Sequence, residues 1–93
     1  MDSLYRGILE QYYDEITNTK NIKKTYNHWM ELKELGIVNS TTDATMASIH
    51  DNAFNFFSRL FQGNIEEEIK EFIESFMRRV PEIKSRIKTI DNM

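Results

Sequence analysis

"IEEEIKEFIESFMRRVPEIKSRIKTI", residues 65–90, spaces its apolar residues by three and four: Ile65, Ile69, Phe72, Ile73, Phe76, Met77 and Val80. At that spacing side chains stack on one face of an α-helix. Advancing ~100° per residue, Ile83, Ile87 and Ile90 return to the same face beyond Pro81. A proline inside a helix removes a backbone hydrogen bond and costs ~3 kcal/mol, so the segment either kinks at Pro81 or stops there. Two features favour continuity. The apolar stripe keeps its phase across the proline. The charges are also polarised, with Glu66, Glu67, Glu68, Glu71 and Glu74 first and Arg78, Arg79, Lys84, Arg86 and Lys88 after them. That is the sense the helix macrodipole favours. Glu66–Lys70, Glu74–Arg78 and Glu82–Arg86 add pairs at four-residue spacing, the glutamate leading. The expectation is one helix kinked at Pro81, or a helix followed by a short fifth one.

Upstream, Gly63 reads as a helix stop, and Asn64 with Glu67 has the spacing of a capping box. A third helix is expected from a cap at Thr42 or Asp43 to about Gln62, after the loop "NSTTD", residues 39–43. The second, "IKKTYNHWMELKEL", is expected to be capped by Asn21 and ended by Gly36, with Ile37 placed for an apolar contact across the stop. The first should start after Asp2 or Ser3 and run to about Asn18, presenting Leu4, Ile8, Leu9, Tyr12 and Ile16. No segment alternates with the two-residue period of a strand. The fold class is therefore all-α, a small up-and-down bundle of four helices spanning residues 1–93 as one domain.

With 93 residues and 40% hydrophobic content the chain has enough for one core and too much apolar character for disorder. Lack of cysteine removes disulfides, thiolate metal sites and thiol nucleophiles. A net charge of −3 argues against a dedicated nucleic-acid binder. No apolar run reaches the ~18–20 residues that cross a bilayer. The amino-terminal stretch lacks the basic head and apolar core of a signal peptide, so a cytoplasmic protein is expected, in the host cytoplasm if viral. Abundant Ile, Asn, Lys, Phe and Tyr beside scarce Ala, Gly and Pro are the mark of AT-rich coding, as in low-GC bacteria, phages, and some archaea and their viruses.

The one stretch that looks like chemistry is "IHDNAFNFFSRLF", residues 49–61. On a helical wheel Met46, Ile49, Ala53, Phe54, Phe56, Phe57, Leu60 and Phe61 fill an arc of ~160°, and His50 falls inside it. Asp51 points ~100° away, so the two do not converge. A structural His50 would donate a ring N–H to a backbone carbonyl or a tyrosine hydroxyl. Against that stand a metal, haem or apolar-ligand sensor built on His50, and a metal-dependent phosphohydrolase of the HD type drawing on His28, His50, Asp51 and Asp91. The latter normally needs more helices than this chain builds. His28 and His50 are thus weak metal candidates, and neither a catalytic set nor a cofactor is expected. "HWME", residues 28–31, runs opposite to the Glu-x-x-His order of a di-iron bundle and leaves Glu31 alone. The glutamates 66–68 read as a solvated helix start, and Lys20, Lys23 and Lys24 as a solubilising patch.

Helix two is apolar on two sides. Ile22, Tyr26, Trp29 and Met30 form one stripe around Lys33, while Leu32 and Leu35 lie elsewhere. Trp, Tyr and Met are enriched in interfaces, so Tyr26, Trp29, Met30 and Lys33 are the candidate surface for a protein partner. The last helix, at ~39 Å if unbroken, would outreach a first helix of ~24 Å. Val80, Ile83, Ile87 and Ile90 are accordingly expected to mediate an antiparallel homodimer. The reading as a whole is a non-enzymatic interaction or regulatory protein. Small immunity-type proteins and phage inhibitors share its size and class, a likeness of shape and not of residues.

Overall fold

Four α-helices follow one another along the chain: α1 (Ser3–Ile16), α2 (Thr19–Glu34), α3 (Thr41–Leu60) and α4 (Ile69–Asp91). The computed structural model describes residues 1–62 and 65–93. Among these no strand occurs, and no helix is long and apolar enough to cross a membrane. The all-α bundle is thus as the periodicity required.

Local chemistry sets the ends. Asp2 caps α1 by accepting the Leu4 N–H at 2.8 Å. Asn18, not Asn21, caps α2, accepting from the Asn21 N–H at 2.9 Å. The Asn21 amide instead donates to the Glu15 carbonyl at 2.7 Å, closing the end of α1. Ser40, not Thr42 or Asp43, caps α3, its hydroxyl accepting the Asp43 N–H at 3.1 Å. In both helices the capping residue lies upstream of the expected one, which lengthens the helix at its start. α2 stops as expected at Gly36, whose φ is +77°. The Gly36 N–H bonds Lys33 and the Ile37 N–H bonds Leu32, each at 2.9 Å, the two bonds of a Schellman motif. After α3, Gln62 adopts a φ of +52°. The expected stop at Gly63 and cap at Asn64 lie outside the described residues. Glu66, Glu67 and Glu68 form a turn ahead of α4, and the Glu68 side chain makes no cap bond.

α4 is a single helix of 23 residues with Pro81 inside it, so there is neither a sharp break nor a fifth helix among the described residues. Pro81 is exposed, and the carbonyl it deprives of a helical donor is that of Met77, a residue 60% exposed.

Side-chain pairs give the directions. Phe57 stacks on Phe72 at 4.7 Å between centroids and His50 meets Phe76 at 5.1 Å, so α3 and α4 run antiparallel. Tyr5 against Phe61 and Tyr12 against Phe56 set α1 antiparallel to α3. Alternation relaxes at the first connection. Thr17 meets Arg86 and Tyr26 meets Asp91, so α2 carries on from α1 toward the carboxyl end of α4. The core holds Leu9 and Tyr13 of α1, Ile22 and Tyr26 of α2, Ile49 and Phe57 of α3, and Phe72 and Ile83 of α4.

This arrangement overturns the expected dimer seam. Ile83, Ile87 and Ile90 are 0%, 2% and 6% exposed, and Val80 is half-buried. They do not project beyond the bundle because α1 and α2 cover successive lengths of α4, which is about 34 Å long. The apolar residues left in solvent are at the other end of the helix.

Phe57 is fully buried against Phe54, Phe61 and Phe72. Phe57→Ala should lower unfolding stability by ~3–5 kcal/mol in urea titrations, whereas Pro81→Ala should raise it, by at most ~3 kcal/mol. A loss of stability in the proline variant would show that the helix needs Pro81.

Candidate functional site

Of the four residues expected to meet a partner through α2, Tyr26 is not available. It is 3% exposed, and its hydroxyl donates to the Asp91 carboxylate at the end of α4. α2 touches both α3 and α4, so the stripe begun by Ile22 faces inward. Trp29 is half-buried, its indole N–H donating to the Ser48 hydroxyl of α3 at 2.7 Å. Met30 and Lys33 are exposed. The carboxyl end of the helix presents two more residues, Leu35 at 73% and Ile37 at 63% exposure. The Schellman bonds fix their backbone, yet the contact expected for Ile37 leaves it mostly in solvent.

His50 lies at the edge of the aromatic core. Its ring stacks on Phe54 and meets Phe72 and Phe76 edge-on, while its side chain stays 42% exposed. Its partner is Asp51, with Nδ1 3.4 Å from Oδ1, and not a backbone carbonyl or tyrosine. The wheel kept these neighbours apart because it follows Cβ directions, whereas both side chains reach round the surface of α3. His28 is exposed and set edge-on to Trp29. Asp91 is engaged by Tyr26. Among the described residues no three His, Asp or Glu side chains are gathered where they could share a metal ion.

Charged side chains tie α1 to α4. Arg79 reaches across to Glu10 and, at 2.8 Å, to Asp14, with its guanidinium 5.4 Å from the centre of the Tyr13 ring. Burial alone would lower the Arg79 pKa, but the bonds to Glu10 and Asp14 outweigh it and raise it. The Met1 ammonium lies 3.0 Å from Glu68 and 2.8 Å from Glu71. Glu68 is therefore engaged in the fold, unlike the freely solvated glutamates expected. A groove of about 350 Å³ runs here, lined by Arg6, Glu10, Glu71, Glu74 and Arg78 among others. Its charges are of both signs, and Arg6 and Glu71 already meet across it at 3.3 Å.

The surface that pattern reading missed is on α4. Ile69, Ile73 and Met77 are 36%, 52% and 60% exposed, although all three belong to the apolar stripe. The signal was the width of the stripe. From Phe72 to Met77 it spans ~140° of the wheel, more than neighbours on one side of a helix can cover. No known protein family, characterised protein or solved structure matches the chain.

Two tyrosines are set apart by their surroundings. Burial raises the Tyr13 pKa more than the Ser75 hydroxyl beside it lowers it. The bond to Asp91 raises that of Tyr26, with burial adding to it. Both shifts favour the neutral phenol in the folded state. The stability they contribute is present below the ordinary tyrosine value of ~10 and is lost as pH rises through the folded values. In an alkaline absorbance titration, Tyr13→Phe and Tyr26→Phe should each remove signal from the late part of the curve. Removal from the early part instead would contradict these environments.

Proposed function

We propose that the protein is a non-enzymatic interaction protein that occludes or bridges a protein partner, using the carboxyl end of α2. The supporting observation is the exposure of Leu35 and Ile37 on a turn held by two backbone hydrogen bonds. Each side chain left in water forgoes ~1.5–3 kcal/mol of burial. A fixed turn also loses little conformational freedom when a partner covers it. Met30 and Lys33 are exposed on the preceding turns, and Trp29, held by Ser48, stiffens the helix behind them. Inhibitors and immunity-type proteins work by occlusion of this kind, with no chemistry of their own.

A photo-cross-linking side chain in place of Ile37 tests this in extract of the native host. One dominant protein adduct is expected, and Leu35→Asp should suppress it, consistent with a loss of ~2 kcal/mol or more in affinity. The same probe at Lys24, exposed on the opposite half of α2, serves as the control. Equal adducts from both positions, or none from Ile37, would contradict the assignment. Because Leu35 is exposed, the aspartate variant should keep its helical circular dichroism.

A further inference from the structure

The groove between α1 and α4 holds about 350 Å³, within the ~300–1,000 Å³ of clefts that take small ligands. Its charges divide into those the fold uses and those it does not. Arg6 and the Met1 ammonium share Glu68 and Glu71, and Glu10 is taken by Arg79. These positive and negative charges balance. Glu74 and Arg78 are left over. Both are exposed and line the groove, and among the described residues neither makes an ion pair. Yet Glu82 and Arg86, at the same four-residue spacing, meet at 2.7 Å. One carboxylate and one guanidinium thus stand open on adjacent turns, their Cβ atoms ~5–6 Å apart.

We propose that this groove binds a free α-amino acid with an apolar side chain. The ligand's carboxylate accepts from the Arg78 guanidinium, whose paired N–H groups suit a carboxylate, and its ammonium donates to Glu74. A single carbon separates the two charges of such a ligand, a span that neighbouring turns of one helix can bracket. A ligand of one sign would leave the other member of the pair unanswered and beside a like charge. Beneath the charges lie Leu9 and Ser75, 1% and 5% exposed. The Ser75 hydroxyl is already bonded to the Phe72 carbonyl at 2.8 Å and to the Tyr13 hydroxyl at 2.9 Å. An apolar side chain can therefore rest there without stranding a polar group. The site uses neither Leu35 nor Ile37, so it is independent of the α2 surface.

Amide resonances of the isotope-labelled chain, followed as L-leucine is added at constant pH and ionic strength, provide the test. Saturable shifts are expected at Leu9, Ser75 and Arg78. L-Leucinamide keeps only the ammonium and N-acetyl-L-leucine only the carboxylate, and each should bind roughly tenfold more weakly or worse. Glu74→Gln and Arg78→Gln should each weaken L-leucine by a similar factor, whereas Glu31→Gln, exposed on α2, should not. Since Glu74 and Arg78 are exposed, both variants should keep their helical circular dichroism. Shifts that never saturate would overturn the proposal, as would unchanged binding in both groove variants. Either blocked form binding as tightly as L-leucine would mean a site for one charge, and would overturn it too.

Discussion

The apolar stripe of α4 must be covered over about 34 Å, and no other single helix on its α1 side is long enough to do it. α1, at 14 residues, reaches about 21 Å. The structure meets this constraint by placing α1 and α2 one after the other along α4, joined by residues 17 and 18. Arg86 stands at the junction. Its guanidinium donates to the Thr17 carbonyl, where the end of α1 leaves backbone acceptors free, and it pairs with Glu82 at 2.7 Å. A cation at a helix carboxyl end also meets the negative pole of the macrodipole. Without that junction Ile83, Ile87 and Ile90 would lose their cover.

Polar groups inside the bundle define how the helices meet more than they add to its stability. The Tyr13 hydroxyl pairs with the Ser75 hydroxyl at 2.9 Å, joining α1 to α4 where both are buried. Thr17, Thr45 and Ser75 return their hydroxyls to carbonyls three or four residues back. Among the described residues no buried side-chain nitrogen or oxygen lacks a partner. Because an unpaired buried polar group costs ~1–3 kcal/mol, a slip of α1 along α4 that parted Tyr13 from Ser75 would be resisted by more than lost apolar contact.

The helices and their class were legible because the 3.6-residue period survives in all four, and because Gly36 and the charge polarity of α4 act locally. The caps at Asn18 and Ser40 were also in the sequence, one turn or less from the residues expected, but several Asn, Ser and Thr compete at each break. What a wheel does not hold is which neighbours a helix has. Ile87 looked like surface because helix length alone implied an overhang, which α2 removes by carrying on from α1 along α4. Tyr26 looked like surface because tyrosine is enriched in interfaces, whereas its bond to Asp91 holds it inward. Ile73 and Met77 looked like core for the converse reason: their phase matched the stripe, while α3 and α1 occupied only part of the arc. His50 was read correctly as part of the aromatic cluster, and its exposure followed from standing at the edge of the α3–α4 seam. The exposure of Leu35 and Ile37 had no local signal, since a Schellman stop buries that contact in many helices.

Continuity of α4 through Pro81, with α1 and α2 covering it in turn, is what the rest of the fold depends on. The direct measurement is a spin-label distance between Lys70→Cys and Lys88→Cys, at positions exposed on the same face of α4. The labelled chain should be diluted with unlabelled protein, so that only distances within one chain are read. An unbroken helix places the two backbone sites about 27 Å apart, and a single narrow distribution near that value is expected once the label arms are included. A distribution well below about 20 Å, or two separate populations, would mean that the segment after Pro81 folds back on the first half, contradicting the single helix.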